Sequence, residues 1–224
     1  MSPRPGAPPL AREDGDVLPR REVSRSGWQS VRVDALLGTQ VPHQRLTDPA
    51  SAVAALERAA PELVRFRRTA PAGIRWAQVE EHLGVGLPSD YKLLAETYPS
   101  LVFGDFLCVG FPPPGREKAW AEDPEDLEIL AEWCEDAETA VPLHPFPAPG
   151  GLLPWATSNQ GDYFLWSTGA AGPDAWTVTV ASRNGGWWHY TGGAVQFLAD
   201  LVGGNLEPWE LPSVRPSVDV FGAD

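Results

Sequence analysis

The chain has 224 residues, 43% of them hydrophobic and 10% aromatic, enough to bury one sizeable core with an added arm. Thirty Asp and Glu against seventeen Lys and Arg give a formal net charge of -13, so the clustered cations that grip nucleic-acid phosphates are missing. No stretch approaches the roughly 20 apolar residues of a membrane span, and no apolar run precedes the first charges, which predicts a cytoplasmic protein without a secretory signal.

Residues 1–26 are rich in Pro, Gly, Arg and acidic residues and predict a disordered arm, because they can bury too little apolar surface to offset the entropy of ordering. Residues 27–70 read as an N-terminal extension with one short helix. There Asp48 offers a cap, Pro49 a first helical residue, Val53 and Leu56 an apolar stripe, and Pro61 a stop. A main domain is expected over 71–211. Its first helix spans 73–83, with Trp76, Val79 and Leu83 on one face and Gly84 placed to end it in a left-handed conformation. Pro88 opens a second helix, in which Tyr91, Leu94, Ala95 and Tyr98 repeat at helical spacing before Pro99.

Residues 101–110 are apolar and aromatic, broken by Gly104 and Asp105, and fit a strand or a hairpin arm. Between Glu117 and Glu138 ten acidic residues accompany a single Lys118, yet Leu127, Leu130, Ala131 and Cys134 keep a helical apolar stripe. An amphipathic acidic helix is expected over that segment. Residues 152–157, 163–167, 176–182 and 187–190 then read as strands separated by turns, and Asn184-Gly185 is a hairpin signal. A last helix over 193–202 carries Ala194, Phe197, Leu198, Leu201 and Val202 on one face, and residues 212–224 read as a flexible tail. The order predicts an α+β fold: a twisted, mainly antiparallel sheet of about four to six strands with helices packed mainly on one side.

Catalytic chemistry finds no support in the residues. His43, His82, His144 and His189 are scattered, and no Gly-x-Ser-x-Gly elbow or phosphate loop exists. Cys108 and Cys134 form no disulfide or zinc framework and read as buried thiols. Asp162 and Asp174 could form a carboxylate pair, but Asn159 to Asp162 and Pro173-Asp174 also read as turns whose side chains accept backbone N–H bonds. The expectation is a protein without enzymatic activity, cofactor or metal.

Two features bear on binding. Strand alternation sends Trp187 and Trp188 to opposite faces, so one of them is either covered by another segment or exposed as a binding hot spot. The acidic helix is either a solvated face or a surface for a basic partner, with Glu125, Glu128 and Glu132 as its charges. The candidate partner-binding residues are therefore Glu125, Glu128, Glu132, Asp162, Trp187 and Trp188.

Leu83 to Lys92, with its Leu87-Pro88-Ser89-Asp90-Tyr91 helix opening, resembles the SUKH superfamily of SMI1/KNR4-type proteins. So do Leu153-Pro154-Trp155, the Asn159-x-Gly161-Asp162 turn before Trp166, Pro173-Asp174-x-Trp176 and Phe197-Leu198, in that order. The likeness runs roughly from Gly73 to Gly204. It implies the same α+β fold and a role in binding proteins, since bacterial members resemble immunity proteins that neutralise toxin domains, often nucleases. Fungal relatives resemble regulatory scaffolds, which is the alternative expectation here. The partner implied is a protein, such as a basic toxin domain, with no nucleic acid and no membrane, bound by a monomer or weak dimer.

Overall fold

Local chemistry sets the limits of the helices. The computed structural model describes residues 36–122, 125–137, 139 and 142–222, and the arm expected over 1–26 lies outside them. In α1, Pro49–Ala59, the Asp48 carboxylate accepts from the Ser51 backbone N–H at 2.8 Å and from the Ser51 hydroxyl at 2.6 Å. Pro49 stands where a missing N–H leaves nothing unsatisfied. A 3-10 turn, Pro61–Phe66, follows and buries Leu63. Helix α2, Trp76–Leu83, starts three residues later than its apolar spacing suggests, because Gly73 takes a φ of 75° that no right-handed helix contains. The Glu96 carboxylate accepts from the Gly73 and Ile74 N–H groups there instead. Gly84 ends α2 with a left-handed φ of 70°, and α3, Ser89–Thr97, follows Pro88.

Eight strands among the described residues form one sheet in the order β1-β7-β6-β5-β4-β3-β2-β8. They are β1 Leu36–Gln40, β2 Leu101–Phe103, β3 Leu107–Val109, β4 Leu152–Ser158, β5 Tyr163–Ser167, β6 Thr177–Ala181, β7 Trp187–Tyr190 and β8 Val218–Val220. All neighbours pair antiparallel except β1 with β7, which are parallel. The β2–β3 hairpin turns through Gly104, where an added Cβ would lie 2.8 Å from the Arg215 backbone nitrogen. The sheet is thus wider than the four to six strands expected, and both extra strands are edges. Neither β1, which contains Gly38, nor the three residues of β8 has a strong local signal; both owe their conformation to the neighbour they pair with. The tail expected to be flexible therefore carries β8, and it buries Val214 and Val218.

The larger core lies between one face of the sheet and helices α1, α2, α3 and α6, the last spanning Ala194–Val202. Its centre is aromatic. Phe197 of α6 meets Trp155, Phe164, Trp188 and Tyr190 at ring-centroid distances of 6.1, 5.7, 5.7 and 5.5 Å. These are the tilted and edge-on arrangements that aromatic quadrupoles favour. The Tyr190 hydroxyl, deep at this junction, donates to the Asp200 carboxylate, and the Tyr91 hydroxyl donates to the Gly110 carbonyl at 2.7 Å. Replacing Phe197 by Ala is expected to lower the unfolding free energy by about 3–5 kcal/mol, read as a fall in the urea midpoint; a loss below 1 kcal/mol would remove Phe197 from the centre of the core.

Candidate binding surface

The acidic segment folds as two helices, not as the single one expected over 117–138: α4, Glu117–Ala121, and α5, Glu125–Asp136. The sequence has Pro124 between them. Six of the twelve residues of α5 are acidic and none is basic. Its apolar stripe covers the second face of the sheet. Leu130 and Cys134 are buried there among Leu152, Tyr163, Leu165, Ala181 and Trp187, with Leu127, Ile129 and Trp133 packed around them. The Trp133 ring stands edge-on to Tyr163, 5.3 Å between centroids. Burial pushes the Cys134 thiol up to about 11, so it stays protonated at neutral pH.

On the outer side of α5, Glu128, Glu132, Glu135 and Asp136 are exposed. Glu128, Glu132 and Asp136 recur every four residues, so like charges stand one turn apart, each pair costing about 0.2–0.5 kcal/mol. Glu135 and Asp136 also occupy the last turn, where the negative end of the helix dipole disfavours carboxylates. None of this helps the helix form; its buried apolar stripe does that. What the arrangement provides is a dense negative face on a well-anchored scaffold.

Of the residues singled out from sequence, Glu128 and Glu132 share this face. Glu125 opens α5, and its side chain lies outside the described residues. The other three do not join them. Trp187 and Trp188 do point to opposite faces, but each is covered: Trp187 beneath α5 and Trp188 against Phe197 and Trp209. The exposed tryptophan considered above is not found. Asp162 is buried in the β4–β5 turn, where it accepts from the Ser158 hydroxyl and, at 3.0 Å, from the Arg183 backbone N–H. Asp174 is held elsewhere, accepting from the Ser89 N–H and hydroxyl at the start of α3. The two carboxylates therefore serve separate turns. Sequence reasoning passed over Glu135 and Asp136, although their offsets of seven and eight from Glu128 place them on its face.

Glu117 departs from the other acids. It is buried in α4 and accepts from the Arg75 guanidinium at 2.9 and 3.2 Å and from the Arg75 backbone N–H at 3.2 Å. These hydrogen bonds hold its carboxyl at about 2. His189 stands in a polar row across three strands, Ser167 to Thr179 at 2.6 Å and Thr179 to His189 Nδ1 at 2.8 Å, and burial lowers its pKa. Among the described residues no group of three or more His, Cys, Asp or Glu is placed to hold a metal ion. No described helix is long and apolar enough to cross a membrane.

The sequence model of a protein family described as SUKH_6, SMI1-KNR4 cell-wall, matches residues 75–193, more than half of the chain. The match runs from the start of α2 to the residue before α6, and it takes in α4, α5 and six of the eight strands. No curated protein and no solved structure matches the chain.

The low folded-state value of Glu117 makes a pH prediction. Its contribution to stability is complete above the ordinary value of 4.5 and is lost as the pH falls toward 2, because the unfolded chain then takes up the proton first. The urea midpoints of wild type and Glu117→Gln should therefore differ most at pH 6 and converge between pH 5 and pH 2. A constant gap across that range would show that the ion pair with Arg75 does not set the difference.

Proposed function

Because the chain belongs to the SUKH family of SMI1/KNR4-type proteins, we propose that it is a protein-binding module of the immunity type, which neutralises a basic, nuclease-like toxin domain by stoichiometric binding. The observation that carries this reading is the outer face of α5. Four carboxylates, on Glu128, Glu132, Glu135 and Asp136, stand exposed on a helix that has no basic residue of its own. Their mutual repulsion is relieved when a cationic surface faces them, so part of the binding free energy comes from strain already present in the free protein. Such a face also steers a basic partner before contact, raising the association rate by about 10- to 1,000-fold at low salt. Nuclease domains bind polyanions through clustered Lys and Arg, and an acidic helix competes for those same cations. Blocking by occupancy needs no catalytic group, in keeping with the separate structural duties of Asp162 and Asp174.

Affinity capture from the native cell lysate, and against the products of adjacent genes, should recover a basic domain whose toxicity the protein suppresses. With that domain in hand, Glu128→Lys combined with Glu132→Lys should slow association by about tenfold or more at low salt. The difference from wild type should shrink as ionic strength rises, because exposed charges are screened. Capture of no basic domain, or an unchanged association rate for the double variant, would overturn the proposal.

A further inference from the structure

A cavity of about 520 Å³ opens where the end of α3 meets the segment before α2, residues 111–116 and the residues after β8. Its floor is apolar, made by Ile74, Ala95, Tyr98 and Phe111, which belong to the main core. Pro113, Pro114 and Phe221 form its exposed part. Phe221 is 40% exposed, the one aromatic ring among the exposed large apolar side chains of the described residues.

The wall is held in place without a ligand. Three successive prolines, Pro112 to Pro114, fix their own φ angles. The Phe111 N–H donates to the Ser100 hydroxyl at 3.1 Å, and the Phe111 ring stands edge-on to Tyr91, 5.3 Å between centroids. The Tyr98 hydroxyl donates to Glu57 at 2.6 Å. A pre-formed, mainly apolar cavity of about 300–1,000 Å³ with a few polar groups is the usual form of a small-molecule site.

The polar groups at this cavity are cationic: Arg68 and Arg116 both line it. The carboxylates carried by the neighbouring elements are engaged elsewhere. Glu57 pairs with Arg67, Glu96 accepts from the Gly73 and Ile74 N–H groups and from the Trp76 indole, and Glu117 pairs with Arg75. Arg116 enters no ion pair among the described residues. A guanidinium is a planar fork of donors that matches a carboxylate.

We propose that this cavity binds an amphipathic carboxylate, a small molecule whose apolar body rests on Phe111 and Phe221 and whose carboxylate meets the Arg116 guanidinium. At roughly 30 Å³ for each heavy atom of a liquid, the space takes up to about 17 heavy atoms, which admits an aryl or medium-chain carboxylic acid. The site does not rest on the toxin-binding reading, since no residue of α5 lines it.

The chain contains two isoleucines, Ile74 in the wall of this cavity and Ile129 on α5. Labelling the isoleucine δ1 methyl groups of the full-length protein therefore gives one reporter signal and one internal control. Three probes share one apolar body: 2-naphthylacetate, 2-(2-naphthyl)ethanol and 2-(2-naphthyl)ethylamine. Naphthylacetate should shift the Ile74 signal and leave that of Ile129 in place, with a Kd of millimolar order or tighter, as about 14 heavy atoms of ordinary ligand efficiency give. The alcohol should bind about three- to fivefold more weakly, the contribution of one exposed charge pair, and the amine more weakly still. Arg116→Gln should bring acid and alcohol within about twofold of each other. An unmoved Ile74 signal up to about 10 mM naphthylacetate would overturn the proposal, and so would equal movement of Ile129, alcohol or amine binding as tight as the acid, or an unchanged preference for the acid in Arg116→Gln. The comparison of acid with alcohol on the wild-type protein decides the matter even if the variant fails to fold.

Discussion

The interaction on which the rest of the fold depends is the contact of Phe197 with the aromatic face of the sheet. One ring from α6 touches Trp155 on β4, Phe164 on β5, and Trp188 and Tyr190 on β7. A helix anchored at that point must be apolar nearly all round, and eight of the nine residues of α6 are buried, Gln196 included. Gln196 earns its place there through hydrogen bonds, accepting from the Leu46 N–H and donating to the Gln44 carbonyl. The stretch before α1 is thereby tied to α6, and α1 packs its Ala52, Val53 and Leu56 into the same core.

The two faces of the sheet are used differently. One is covered by several helices and holds the large core; the other meets α5, which sits over a smaller cluster around Leu130 and Trp187. Charge repulsion within α5 is tolerable because the main core does not depend on that helix. A surface built this way can change its charges without endangering the fold. The ion pair of the buried Glu117 with the exposed Arg75 serves the other purpose, joining α4 to the start of α2.

The helices and the central strands were legible because their signals are local. Asp48 with Pro49, Gly84 and Pro88 mark helix ends by backbone chemistry that acts within one turn. The meander from β4 to β7 was legible for the same reason, since aromatic and β-branched runs alternate with turn residues. The edge strands were not, because β1 and β8 become strands only where a neighbour offers its N–H and C=O groups. On the candidate surface, Glu128 and Glu132 could be placed by helical periodicity, whereas the fate of Trp187 and Trp188 depended on what covers each face.

By itself the sequence determined the α+β class, the order of the central elements, the family resemblance and the concentration of negative charge in one amphipathic segment, all of which follow from near-neighbour patterns. Only the tertiary structure decided which acids are exposed and which, like Glu117, are buried and paired. Only it revealed that both tryptophans of β7 are covered and that a cavity is lined by Phe111, Arg116 and Phe221. The physical reason is that burial and hydrogen-bond satisfaction are set by residues distant in the chain. Arg75 reaches Glu117 from 42 positions away, and Phe197 meets Trp155 across three intervening strands of sequence.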